Sequence, residues 1–91
     1  MIDKLTNASS LETSRCCMAV TDAVQRFRPE EQVLGAAAFF LMLCGVYGVH
    51  PGTALSTISN MINSDKIVAR DQFNAARMYI QKELVNDAVL P

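Results

Sequence analysis

From Val33 to Val49 the chain runs for 17 residues, VLGAAAFFLMLCGVYGV, without a charge or any side chain more polar than tyrosine. As a helix rising 1.5 Å per residue the run is about 25 Å long. A helix that is apolar all the way round must be covered all the way round, by its own protein, another chain or lipid. A membrane span needs about 20 apolar residues and about 17 is the lower limit. The run also contains Gly35, Gly45, Gly48 and the triplet Ala36-Ala37-Ala38, and Glu30 and Glu31 stand at the end where positive charge would be the topological signal. It therefore reads as a buried core helix in preference to a membrane span. A small single-span membrane protein stays as the second alternative.

The flanking segments carry helix signals of their own. Ser9-Ser10-Leu11-Glu12 fits a capping box, with serine and glutamate each satisfying an orphan amide. Cys16 or Cys17, Val20, Ala23 or Val24, and Phe27 then recur at steps of three and four and predict a buried stripe, leaving Glu12, Arg15, Asp22, Gln25 and Arg26 for solvent, with Asp22 and Arg26 as an i,i+4 pair. Arg28-Pro29-Glu30-Glu31 ends this helix and starts the apolar one. Gly48 is the expected left-handed cap, and His50-Pro51-Gly52-Thr53 a tight turn in which the threonine or an upstream neighbour caps a third helix. Phe73, Ala76, Ile80 and Leu84 form the inward edge of a fourth. The expected fold is all-α: a compact bundle of about four helices, over 9–27, 29–47, 53–63 and 70–86, in a single domain spanning 1–91, with the apolar second helix at its centre.

A 91-residue domain buries only roughly 60–65% of the surface of its unfolded chain, yet 51% of these residues are hydrophobic and 19% charged. The excess apolar surface points to a homodimer or higher oligomer. Gly35, Ala37 and Ala38 offer a smooth surface for close helix approach, with Phe40 and Leu41 supplying bulk, and these five are the expected interface. The net charge of −1 provides no global attraction for phosphate or anionic lipid. The amino terminus has no signal-peptide core, and three cysteines without C-x-x-C spacing suggest neither a disulfide framework nor zinc, so a reducing cytoplasm is the expected compartment.

No catalytic or metal-binding constellation is readable. Cys16 and Cys17 have only Arg15 nearby to favour a thiolate and read as packing residues, as does Cys44. His50 is the single histidine and is assigned to the turn. The residues therefore predict no catalytic, cofactor or metal site. One polar pattern stands out: Arg70, Asn74, Arg77 and Gln81 recur at steps of four, three and four without an acid among them. Arginine and asparagine read guanine and adenine edges, so a helix-turn-helix-like nucleic-acid binder using this stripe is the first alternative. The acidic balance, Asp71 beside the stripe and the long preceding connector favour a solvated flank.

The stretch AAAFFLMLCGVYGVHPGTAL, with the Tyr47–Pro51 turn, and the ending ARMYIQKEL are similar to small helical proteins encoded by tailed bacteriophages. The resemblance covers about half the chain and carries over no site residue. It implies a soluble protein in the cytoplasm of a bacterial host, acting on host machinery. Taken together, the residues predict a non-enzymatic binding or regulatory protein that works through protein–protein contacts with a partner and with itself.

Overall fold

The computed structural model describes Leu5, residues 7–64 and residues 66–85. Among these the chain is an all-α bundle of four helices, α1 Ser10–Val24, α2 Pro29–Tyr47, α3 Pro51–Ile62 and α4 Ile67–Ile80, the last continued by a π-helical turn over Gln81–Val85. Residues 1–4, Asp65 of the third connector and Asn86, where the sequence pattern ends the last helix, lie outside the described residues. The bundle is flattened, 45 × 32 × 16 Å, and its radius of gyration of 13.9 Å exceeds the roughly 12 Å of a close-packed chain of this length.

Its core is the packing of α1 on α4. Ser10 Oγ donates to Gln72 Oε1 at 2.6 Å, Tyr79 donates its hydroxyl to Asp22, and Gln25 Nε2 donates to Glu83 Oε2 at 3.4 Å. Both series ascend, so α1 and α4 run parallel. The buried seam of α1 is Ser14 and Thr21, against Ala69, Phe73 and Ala76 of α4. Small residues on both sides allow close approach. Each hydroxyl is satisfied within its own helix, Ser14 Oγ by Leu11 O at 2.8 Å and Thr21 Oγ1 by Cys17 O at 2.9 Å, which removes the cost of burying it.

Three expectations are corrected here. The stripe through Cys16 or Cys17, Val20, Ala23 or Val24, and Phe27 is only in part the inward face of α1: Cys17, Val20 and Val24 are half-buried, Cys16, Ala23 and Phe27 are exposed, and the fully buried positions are the hydroxyl residues Ser14 and Thr21. Asp22 does not pair with Arg26, whose guanidinium lies 5.3 Å from the Phe27 ring centroid while Asp22 accepts from Tyr79 and Gln25. Above all, α2 is not at the centre. Cys44 is its one buried residue, and Val33, Leu34, Met42 and Val46 are 69–77% exposed. The physical reason is that α1 and α4 satisfy each other, so α2 is left on the flank, held mainly at its ends.

Those ends are locally determined. Pro29 occupies the first turn, Glu31 Oε1 accepts from Arg28 N at 3.0 Å, and Gln32 Nε2 reaches back to the Val24 carbonyl at 3.0 Å, capping the end of α1. At the other end Gly48 adopts φ 67°, a left-handed conformation costly for any residue with a Cβ, and Val49 N bonds Cys44 O at 2.8 Å. The chain then folds back into α3, whose N-cap is His50: its Nδ1 accepts from Gly52 N at 3.0 Å.

Candidate interaction surface

The side chains of α2 divide into a covered line and an open one. Phe40, Leu43, Cys44 and Tyr47 surround a small apolar hollow of about 160 Å³ shared with Leu5, Val49 and Ala54. Phe40, expected at the oligomer interface, is thereby half-buried inside its own chain. The other four expected interface residues, Gly35, Ala37, Ala38 and Leu41, are exposed, and with Leu34, Met42 and Val46 they form a surface without a charge.

Two larger hollows lie between α1 and α2, and Val20, Val24 and Ala36 line both, so they share a wall. One, of about 470 Å³, is closed at its far side by Ile80 and Leu84. The other, of about 430 Å³, is bounded by α1 and α2 alone, with Cys16, Ala19 and Ala23 facing Gly35 and Phe39. Neither contains a charged side chain. Apart from Phe27, which lines neither, the stripe expected in the core lines these hollows, with Cys17, Val20 and Val24 half-buried. The helical periodicity is real, and what it failed to indicate is which surface covers it.

The remaining candidates fall into place around this surface. Cys44 is buried and Cys17 half-buried, with burial and then the neighbouring Cys16 pushing the Cys17 thiol up, away from a reactive thiolate. His50 is engaged as the α3 cap. Among the described residues no three His, Cys, Asp or Glu side chains gather where they could hold a metal ion. Arg70, Asn74, Arg77 and Gln81 are all exposed on the side of α4 away from its buried edge, and Arg77 Nη1 bonds Asn74 Oδ1 at 3.4 Å. Lys66, also exposed and one step of four before Arg70, extends the stripe. Asp71 lies exposed beside it.

Tyr79 and Asp22 form a polar contact that spacing did not reveal, because its partners are 57 positions apart. The hydrogen bond to Asp22, partial burial, and the charges of Asp22 and Glu83 push the Tyr79 hydroxyl up to about 12, so it stays a donor across the ordinary pH range. The contact ties α1 to α4 next to the larger hollow and so holds one wall of it.

Comparison with known proteins found no matching family, no similar curated protein and no similar solved structure.

Proposed function

We propose that this chain is a non-catalytic binding and regulatory protein that acts through protein–protein contacts, with α2 as its adhesive element and a second copy as its first partner. One observation carries the reading: a 19-residue helix whose residues from Val33 onward are apolar all round lies almost uncovered on a bundle whose core is the packing of α1 on α4. Monomeric soluble proteins rarely leave so continuous an apolar surface in water, and where they do it marks an interface. Each large side chain fully removed from water there contributes roughly 1.5–3 kcal/mol.

A membrane is the competing cover, since α2 is long and apolar enough to cross one. Topology counts against it. A spanning α2 would put α1 on one side of the bilayer and α3 with α4 on the other, yet α1 and α4 are bonded to each other at both ends, through Ser10–Gln72 and Gln25–Glu83. That packing supports a cover other than a bilayer. For nucleic acid the favourable observation is the exposure of Arg70 and Arg77, and the net charge of −1 works against it.

Sedimentation equilibrium of the wild type and Leu41→Lys tests the reading. The wild type is expected to associate and the variant to sediment as a monomer; a wild type that is monomeric throughout overturns it. As part of the same proposal, the resemblance of the sequence to small phage proteins supports a target in a bacterial host.

A further inference from the structure

We infer that the hollow between Cys16, Ala19 and Ala23 of α1 and Gly35 and Phe39 of α2 is the seat of a second copy's α2, so that two α1–α2 hairpins close on each other as one four-helix unit. The inference rests on the self-association reading and specifies its geometry.

Three observations select this occupant. The hollow has two apolar walls and no charged residue, so a helix seated in it is touched on more than one side. A helix seated there must present apolar side chains to both walls, and α2 carries an uncharged, mostly exposed apolar surface from Val33 to Tyr47 that can do so. Second, the lining includes four small residues, Ala19, Ala23, Gly35 and Ala36, which lets a helix approach the walls, while the exposed face of α2 supplies large ones, Leu34, Leu41, Met42 and Val46. The chain thus carries both halves of a complementary contact, as a two-fold interface requires.

Third, the area suffices. Leu34, Phe39, Leu41, Met42 and Val46 are each 55–77% exposed. At roughly 100 Å² apiece they offer on the order of 500 Å², and the exposed Cys16, Ala19, Ala23, Gly35 and Ala36 of the seat add to this toward the ~800 Å² that each partner contributes to a stable interface. Neither α1 nor α3 provides a comparable surface, because each has polar residues on its exposed side.

Gly35 provides the decisive variant. A Cβ there meets nothing within 4 Å, so a side chain fits the isolated chain, and leucine favours the helix over glycine. Gly35→Leu should therefore keep or raise helicity and thermal midpoint while filling the hollow and weakening association at least tenfold. Native Cys16, exposed in the single chain, supplies a second readout. Its alkylation by a maleimide, followed by mass spectrometry, should slow at least tenfold in assembled wild type relative to Leu41→Lys.

If light scattering finds a multimer but Gly35→Leu associates like wild type and Cys16 reacts at the monomer rate, the seat is wrong while the self-association reading stands. If the chain stays monomeric and phosphatidylcholine vesicles alone protect Cys16, the occupant is lipid and both fail. Slowed Cys16 alkylation together with loss of association in a folded Gly35→Leu supports the seat.

Discussion

Tyr79 donates its hydroxyl to the carboxylate of Asp22, joining two helices whose nearest covalent connection runs through the whole of α2 and α3. The contact adds to the buried seam and to the Ser10–Gln72 and Gln25–Glu83 bonds that hold α1 on α4. It is also titratable. With the Tyr79 hydroxyl pushed up to about 12 by Asp22, and an unfolded value near 10, the proton is held more tightly in the folded chain. The stabilisation is therefore complete below pH ~10 and is lost as pH rises from about 10 to about 12. Urea unfolding of wild type and Tyr79→Phe across that window should show a wild-type advantage that disappears at the alkaline end. A constant difference would show that the hydroxyl does not stabilise the fold in this way.

At the other turn, His50 Nδ1 accepts the Gly52 amide as the N-cap of α3. Removing a cap acceptor costs about 1 kcal/mol. His50→Ala should lose that much in chemical denaturation, and His50→Asn or His50→Ser, which restore an acceptor, should lose little. Equal losses in all three would give the imidazole a packing role in place of capping.

The three cysteines are ordered by burial, with Cys44 buried, Cys17 half-buried and Cys16 exposed. Cys44→Ser places a hydroxyl among Phe40, Val49 and Ala54 and should cost about 1–3 kcal/mol, whereas Cys16→Ser should leave the unfolding midpoint of the chain nearly unchanged. The folded triple variant should still bind its partner. Loss of binding in a folded triple mutant, checked by circular dichroism beside a pull-down, would assign the thiols a role beyond packing.

How much of this was legible depends on the range of each signal. The bounds of α2 were readable at both ends because Pro29, Glu31 and Gly48 act within one turn of themselves. The start of α4 at Ile67 rather than Arg70 was not, since the β-branched pair Ile67-Val68 is as compatible with extended chain as with helix. The Phe73–Ala76 edge was correct because apolar residues there do meet a neighbour. On α1 the same logic was right only in part: Cys17, Val20 and Val24 are half-buried, but the fully buried Ser14 and Thr21 look polar in sequence, and hydroxyls bonded to Leu11 and Cys17 carbonyls pack like small apolar groups. The candidate surface was legible in composition and not in place, because an apolar run reports that it must be covered and says nothing of what covers it.

The exposed stripe on α4 gives a prediction of opposite sign. If α2 is the adhesive element, Arg70→Ala with Arg77→Ala should leave the oligomer mass unchanged. Duplex DNA titrated against wild type across a salt series should show no specific binding. A wild type that binds duplex, with a salt slope that flattens by about 0.9 for each phosphate-neutralising arginine replaced by alanine, would transfer the function to that stripe.

Light scattering on the purified full chain in detergent-free buffer tests the central claim most directly. The chain weighs 10.0 kDa, so an assembly closed over α2 should give a monodisperse peak at about twice that mass at micromolar concentration or, for a higher oligomer, a larger whole multiple. Ser56→Lys, on an exposed position of α3, should keep that mass, and Leu41→Lys should lose it. A monodisperse 10.0 kDa wild type would contradict the account, and a chain soluble only in detergent would assign α2 to lipid.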